Sequence, residues 1–291
     1  MQNLKKLQKM GEIMNLLFFN KKQITEPTYH EDEDNLNLSE GAHILVNCKN
    51  VVLSGDVCVL ESTDTDYLEV GSRSKIQIFH SGHIKVLEGH ATIGMVKTGI
   101  IEKMTDNSEI TTINYCQFEY VTGRAKIGTF NNGSIKFLDK NANIPTFNSG
   151  KIMFMRNHAK IGTMISGRVD GMTDNSEIST IMNGKIGYML NKAKIGTLNQ
   201  GEVSEICDNA RIDTINDGDI MHMMGNSMIY QQIGGNVKEK SGQAILIYTQ
   251  NQAPKRMHKQ IEMKIEEEEE EKPKKKTTKK SSKKIIDNIV E

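Results

Sequence analysis

The 291-residue chain has no tryptophan and only four prolines, and aromatic residues make up 5% of it. Any core must therefore be mainly aliphatic, built from Ile, Met and Val, and the chain is long enough to bury a large one. An excess of either charge is also missing, because Lys and Arg balance Asp and Glu at 37 each. The chain as a whole predicts no general attraction to nucleic acid or to an anionic membrane, so any such attraction must come from a local segment.

Cysteine is scarce, and its spacing fits neither a disulfide framework nor a metal knot. The four cysteines are Cys48, Cys58, Cys116 and Cys207, and no two of them form a CxxC pair. This usage favours reduced thiols in a cytoplasmic setting.

The N-terminal stretch MQNLKKLQKMGEIMNLLFFNKK places lysines before an apolar run and so imitates a signal peptide. Asn15 interrupts the run, which is too short to span a bilayer, and no A-x-A cleavage site follows it. Apolar residues recur at helical spacing at Leu4, Leu7, Met10, Ile13, Met14 and Leu17. They predict an amphipathic helix over residues 3–19 that caps one end of the domain or, alternatively, forms a peripheral membrane anchor.

A repeat of 17 residues runs through the chain for nine periods without insertion or deletion. Its first anchor is always isoleucine, at Ile76, Ile93, Ile110, Ile127, Ile144, Ile161, Ile178, Ile195, Ile212 and Ile229. Small residues precede these anchors by two positions, and apolar residues follow the anchors from Ile76 to Ile212 by three positions. The second half of each repeat has its first apolar residue eight positions after the anchor. A glycine precedes that apolar residue by two positions, except in the one repeat where Cys116 stands in place of the glycine.

Two apolar pairs separated by polar turns fit two short strands per coil, because 17 residues leave too little chain for two packed helices. The sequence therefore predicts an all-β fold, a single parallel β-solenoid whose coils stack about 4.8 Å apart. Residues 36–75 are interpreted as irregular first coils and Ala244–Tyr248 as one more strand. The expected rod has about eleven coils and is roughly 50 to 55 Å long.

Outward columns of the repeat are the candidate binding positions. Threonine occupies one of them for seven coils, at Thr112, Thr129, Thr146, Thr163, Thr180, Thr197 and Thr214. This ladder resembles the ice-binding faces of solenoid antifreeze proteins, which generally present two parallel ranks where this chain presents one. A β-branched residue that stacks on itself along a parallel sheet is also favourable without any ligand.

Asparagine recurs in two turn columns, where amide side chains can hydrogen-bond from coil to coil. The columns are Asn114, Asn131, Asn148, Asn199 and Asn216, and Asn107, Asn141, Asn175, Asn209 and Asn226. Other polar residues predict no chemistry, since His80, His83 and His90 fall on turn and outward positions and Asp106, Asp174 and Asp208 are ordinary turn formers. We therefore expect no enzyme, no cofactor and no metal site.

The units HAKIGT (His158–Thr163), NARIDT and NANIPT resemble the degenerate N-A-[TK]-[VI] repeats of uncharacterised phage and mobile-element proteins. The resemblance covers about residues 76–233. It implies a non-enzymatic structural or scaffold protein that is cytoplasmic or virion-associated. A second similarity is to bactofilins, bacterial cytoskeletal β-helices with a similar coil length, a short apolar N-terminal segment and charged tails. This chain has a longer solenoid and lacks their Gly-Val-rich alternation.

Three regions are expected: an amphipathic helix and acidic linker at 1–35, the solenoid at 36–249 with regular repeats at 76–233, and a disordered charged tail at 250–291. The tail carries a lysine cluster suited to phosphate binding, at Lys274, Lys275, Lys276, Lys279, Lys280, Lys283 and Lys284. The neighbouring block Glu266–Glu271 is expected to compete for these lysines. We expect protein partners or self-association, with nucleic acid reached only through the tail and a membrane only through the N-terminal helix.

Overall fold

The computed structural model describes residues 26–248, which form strands joined by turns. The first eleven strands are β1 Thr28–Glu31, β2 Asn37–Val46, β3 Val51–Thr63, β4 Thr65–Val70, β5 Lys75–Phe79, β6 Gly82–Leu87, β7 Thr92–Val96, β8 Ile100–Met104, β9 Glu109–Ile113, β10 Cys116–Val121 and β11 Lys126–Phe130. The others are β12 Gly133–Leu138, β13 Asn143–Phe147, β14 Lys151–Met155, β15 Lys160–Met164, β16 Arg168–Met172, β17 Glu177–Met189, β18 Lys194–Ile206, β19 Arg211–Met223, β20 Met228–Gln232, β21 Asn236–Lys240 and β22 Ile245–Tyr248. The predicted N-terminal helix and the charged tail lie outside the described residues.

All strand pairs are parallel, and each strand pairs with its counterpart in the next coil. On the first face, β5, β7, β9, β11, β13 and β15 stack in order and continue through β17, β18, β19, β20 and β22. On the second face, β4, β6, β8, β10, β12, β14 and β16 stack and continue through β17, β18, β19 and β21. The prediction of a parallel β-solenoid with a spacing of about 17 residues is confirmed.

The core is the stack of inward anchors. Every anchor isoleucine from Ile76 to Ile229 is fully buried, and the small residues two positions before the anchors are buried as well. A typical strand of the regular coils turns two apolar residues inward, three positions apart, and two residues outward between them, as the burial of Lys126–Phe130 shows. Because the same position lies inward in every coil, like side chains stack on one another, and Phe130 lies on Phe147 with ring centroids 5.2 Å apart.

The rod has about 13 turns, so the expectation of about eleven coils is wrong. The first strand starts at Thr28, inside the segment interpreted as an acidic linker. The early coils do not show the regular period in the sequence because they are shorter. Thr28 pairs with His43 and Glu40 pairs with Asp56, which is two positions and one position short of the regular period, respectively. A spacing of 17 residues begins at the pairing of Val52 with Glu69 and continues through that of Cys58 with Lys75.

The corner between the two faces needs glycine because successive coils approach closely there. Gly133 has φ 128°, and a Cβ on it would lie 1.9 Å from the carbonyl oxygen of Cys116 in the preceding coil. Cys116 occupies the same column, has a φ outside the left-handed region and is fully buried. A side chain is therefore accepted in this column where the backbone keeps an ordinary conformation.

Candidate interaction surface

The threonine ladder is a continuous column on the outer side of the first face. All seven predicted threonines stand in register, each paired with the threonine of the next coil from Thr112 to Thr214. Met95 precedes the ladder and Gln231 follows it. The seven side chains are half-buried. The ladder therefore offers a row of hydroxyl and methyl groups at the coil spacing, about 4.8 Å apart.

The outward column next to the ladder does not supply a second threonine rank. Its residues are Gly94, Thr111, Gly128, Pro145, Gly162, Ser179, Gly196 and Asp213. Most of these residues are small and only one is threonine. Side chains beside the ladder therefore project little from the sheet, and this column lacks regularly spaced hydroxyl groups. The structure thus brings the seven predicted residues together as a single rank.

Charged residues flank the ladder one position before most of the anchors, where the sequence predicts outward side chains. Lys126 Nζ lies 2.8 Å from Glu109 Oε1, and Lys194 Nζ lies 3.3 Å from Glu177 Oε1 and 3.0 Å from Asp213 Oδ2. The hydrogen bond to Asp213, assisted by Glu177, raises the pKa of Lys194 above its ordinary value. Because these pairs are partly exposed, we expect each to contribute little to stability and more to the charge pattern of the surface.

The first asparagine column forms the predicted amide ladder. Asn131 Nδ2 donates to Asn114 Oδ1 over 3.1 Å, and Asn148 Nδ2 donates to Asn131 Oδ1 over 2.6 Å. Asn216 Nδ2 likewise donates to Asn199 Oδ1 over 2.6 Å. Amides inside the ladder are thus both donor and acceptor along the axis, which satisfies polar groups that the turn would otherwise leave to water.

Two apolar residues interrupt this amide ladder. Ile165 and Met182 occupy the two coils between its segments and are 47% and 45% exposed. The second asparagine column behaves differently, because from Asn107 to Asn209 its asparagines stand 34 residues apart, in alternate coils, where their amides do not stack directly on one another.

The turn that leads into the first face contains one residue with positive φ in almost every coil. Asp106 and Asp174 hold this position with φ 57° and 60°. Their carboxylates accept from the backbone N–H of the same position in the preceding coil, at Gly89 over 3.2 Å and at Asn157 over 3.1 Å. These aspartates are therefore structural turn residues, and Lys140, with φ 56°, is a poorly suited member of the column.

An aromatic stack on the outer side of the second face was missed by the sequence analysis. The rings of Tyr120 and Phe137 lie 5.1 Å apart, and those of Phe137 and Phe154 lie 5.6 Å apart, with interplanar angles of 14° and 19°. In the next coil Gly171 leaves space, and Tyr188 lies across it: a Cβ on Gly171 would be 2.3 Å from the Tyr188 ring. The regular spacing of the three stacked aromatics, one period apart, was the available signal.

A basic side chain flanks this aromatic stack. The Arg156 guanidinium lies over Phe137 at 4.5 Å and donates to Asp139 over 3.2 Å. Tyr120 is 37% exposed. The stack is therefore a semi-apolar stripe with a basic flank, which distinguishes the second face from the hydroxyl-bearing first face.

Two of the three histidines considered as a sequence cluster lie beside different carboxylates. His80 Nε2 lies 3.5 Å from Glu61 Oε2, and His83 Nε2 lies 3.0 Å from Glu102 Oε1. Within residues 26–248, no group of three or more His, Cys, Asp or Glu side chains is arranged to hold a metal ion. The four cysteines carry free thiols.

The predicted lysine cluster, Lys274 to Lys284, lies outside the described residues. No helical segment in the part of the chain that the structure describes has the length and apolar content needed to cross a lipid bilayer. No protein-family model, curated protein or solved structure matches this chain.

Proposed function

We propose that the protein is a non-enzymatic structural rod that holds other components. The observation that supports this role most directly is the register: from β5 to β20 each coil pairs with the next exactly one repeat later, without a shift. Such a rod presents the same groups repeatedly along its length, which suits a repetitive partner or a second copy of the chain.

The two faces differ in the chemistry that they offer a protein partner. The first face carries hydroxyl groups and ion pairs, and the second carries the aromatic stack beside Arg156. Protein interfaces are enriched in aromatic residues and arginine at their centres, so the second face is the better candidate for protein contacts. The resemblance to phage and mobile-element repeat proteins extends the proposal to a virion component.

Electron microscopy and light scattering of the purified full-length chain test the proposal. A rod of about 13 turns has a described length of roughly 60 Å at a rise of about 4.8 Å per coil, so discrete particles of that scale are expected. Long unbranched filaments formed by the intact protein would contradict a discrete rod and favour the second candidate below.

A bactofilin-like polymer is the second candidate. It is favoured by the ends of the solenoid, because within residues 26–248 the outermost strands β1, β21 and β22 pair on one side only. Such edges present unpaired backbone groups that can accept a strand of another copy. Substituting β1 backbone positions with proline, for instance Tyr29→Pro, should shorten filaments if the polymer forms by edge pairing, whereas Lys126→Pro at an inner strand should impair folding instead.

Surface or ice binding by the threonine ladder is a further alternative, supported by the in-register rank itself. Replacing Thr146, Thr163 and Thr180 together by lysine would disrupt the middle of that rank, and lysine at Glu119 and Ser134 on the second face is the control. Thermal hysteresis in the wild type that the triple variant loses and the control keeps would support ice binding, and its absence in the wild type would refute it.

The terminal segments supply the remaining proposed contacts. Nucleic acid is expected to bind only through the lysine cluster of residues 274–284, and a membrane only through residues 3–19. Salt titration of DNA binding by the full chain and by a variant with glutamine at Glu266–Glu271 tests the first idea. Tighter binding by the variant is expected if the glutamates compete for the lysines.

A further inference from the structure

In three pairs of the described coils, an aspartate in the turn before the first face accepts from the backbone N–H of the same position in the preceding coil. The pairs are Asp106 with Gly89 over 3.2 Å, Asp174 with Asn157 over 3.1 Å and Asp208 with Asn191 over 3.0 Å. The coil after Asp106 has Gly123 at this position and therefore no side chain to offer. Within residues 26–248, no acceptor is bonded to the N–H of Asp106.

The missing side chain of Gly123 leaves a space over this N–H. A Cβ on Gly123 would lie 2.7 Å from the nitrogen of Asp106, so an acceptor atom in that space comes within hydrogen-bonding distance. The space is part of an open depression of about 440 Å³, whose lining includes Gly123, Arg124 and Lys140. The depression is therefore large enough for a small anion and open to solvent.

Arg124 and Lys140 give this depression its charge. Arg124 follows Gly123 directly, and Lys140 stands one coil further on in the column of Gly123. Both side chains are exposed, and in the part of the chain that the structure describes neither forms an ion pair. Their charges are therefore available to a bound anion.

Lys140 also has an unusual backbone conformation for lysine, with φ 56°. The other described members of its column, from residue 72 to residue 242, are serine, glycine, aspartate or asparagine. Glycine, asparagine and aspartate tolerate positive φ better than lysine does. Unfavourable backbone conformations of this kind are concentrated at functional sites, so this lysine is explained if its charge is needed here.

Two carboxylates near the depression would repel an anion, but each already has donors. That of Asp106 accepts from the N–H of Gly89 in the preceding coil. That of Asp139 lies 3.2 Å from a guanidinium nitrogen of Arg156 and accepts from the N–H of Lys140 over 2.8 Å. These contacts offset much of the negative charge, so the two cations dominate the depression.

We propose that this depression, the Gly123 site, binds a phosphate group. The N–H of Asp106 donates to one phosphate oxygen, and Arg124 and Lys140 supply the opposite charge. The anion thus takes the place of the aspartate carboxylate that fills the turn in other coils. A phosphate monoester carries about −1.5 to −2 charges near pH 7, which matches two cations better than the single charge of a carboxylate does. Arginine also binds phosphate oxygens in pairs, and backbone N–H groups in turns form anion-binding sites.

The same column contains an uncharged counterpart of the site. Gly225 also leaves a backbone N–H uncovered, since a Cβ on it would lie 3.0 Å from the nitrogen of Asp208. The residues that correspond to the two cations are there Asn226 and Gly242, which carry no charge. Phosphate is therefore expected at the Gly123 site and not at Gly225.

NMR of the backbone amides of the full-length protein tests the site, with inorganic phosphate added against chloride at constant pH and ionic strength. We expect saturable shifts of the Asp106 and Gly123 amides and no saturable shift of the Asp208 amide. Observation of single amides separates this site from the lysine cluster of residues 274–284. Adenosine monophosphate is the second probe: a half-saturation equal to that of phosphate would show that the free ion suffices, and a lower one that the site takes an ester.

Gly123→Asp supplies the missing carboxylate from the chain itself, and Gly225→Asp makes the same change of charge at the uncharged turn. Aspartate is compatible with this position, since Asp106 has φ 57° and Gly123 has φ 72°. The first variant should abolish the saturable shift of the Asp106 amide, and the second should keep it.

Glutamine variants test the two cations while the glycine of the turn stays in place. Arg124→Gln and Lys140→Gln should each weaken phosphate binding by about two- to fivefold, as expected for exposed charges. Lys192→Gln is the control, because Lys192 holds the position of Arg124 in a coil where Asp208 closes the turn, and it should change nothing.

Three results would overturn the site. They are shifts of the Asp106 amide that rise linearly with phosphate, binding by Gly123→Asp that equals that of the wild type, and acetate that binds as tightly as phosphate, which would identify a carboxylate site. None of these results depends on whether the protein is a structural rod.

Discussion

Alanine at Gly133 should be far more destabilising than alanine at Gly184, although both glycines hold the same corner position of the repeat. Gly133 has φ 128°, and its new Cβ would lie 1.9 Å from the carbonyl oxygen of Cys116 and 2.8 Å from its nitrogen. These are backbone atoms, so they cannot move away from the new Cβ unless the two coils separate. Gly184 is not in the left-handed region, and its new Cβ would meet the flexible end of Met164 at 2.7 Å, with the nearest backbone atom at 3.4 Å.

The difference can be estimated from these contacts. A side chain in the left-handed region costs about 1 to 3 kcal/mol, and separating the coils adds to this, so Gly133→Ala should lose about 3 kcal/mol or more. Gly184→Ala requires only a new Met164 rotamer and should change the free energy of unfolding by less than about 1 kcal/mol. For a solenoid of this size, about 1 kcal/mol shifts Tm by roughly 2 to 4 °C, so the first variant should melt about 6 to 12 °C lower.

Thermal unfolding followed by circular dichroism measures both variants, and hydrogen exchange shows whether the loss is local to the coils around residue 133. The shared chemistry of the substitution makes Gly184→Ala a matched control. If the two variants melted within about 2 °C of each other, backbone crowding at the corner would not be the reason for glycine in this column.

Three further substitutions or reagents address the turn, the core and a buried thiol. Lys140→Asn should stabilise the protein by about 0.5 to 1 kcal/mol in urea unfolding, because Lys140 has φ 56° and asparagine tolerates that conformation better; a loss of stability would contradict this. Ile161→Asp should lose about 3 kcal/mol or more by burying a carboxylate, whereas Lys160→Asp should stay within about 1 kcal/mol, and equal melting temperatures would refute the inward assignment. Burial raises the pKa of the Cys116 thiol from 9.0 to about 12, so its contribution to stability should fall as pH rises from about 9 to about 12, and alkylation at pH 8 should await unfolding; rapid labelling of the native protein would contradict this.

Much of the fold could be predicted because the same pattern of inward and outward residues recurs every 17 residues. The same inward position is occupied by isoleucine in coil after coil, for example at Ile127, Ile144 and Ile161, which are all buried. The prediction of burial therefore rested on many repeats and not on the preference of one residue. The first coils were not predictable in this way, since Thr28 and His43 pair two positions short of the regular period and β2 pairs with β3 through register shifts. Local bulges of this kind leave no periodic signal.

The candidate surface was predicted only in part. The threonine rank followed from the period, but the aromatic stack did not, because Gly171 breaks the run of rings and Tyr188 fills the gap from the neighbouring coil. The contact between His30 and His43 was not predicted for a different reason. These two histidines are 13 residues apart, and an irregular coil brings their side chains together. Neither a short motif nor the period of 17 residues relates them in the sequence.

Because the register is unbroken, the rod could change its length by whole coils without disturbing the remaining columns. The heptapeptide MTDNSEI occurs at residues 104–110 and again at 172–178, four complete periods later. Unequal recombination between these two copies would remove or duplicate four complete coils while leaving every inward column and every turn continuous. The rod would become shorter or longer by roughly 19 Å, at about 4.8 Å per coil, with a junction identical to the parental sequence. A deletion within the regular coils that is not a whole number of periods would instead move the following anchors out of their columns.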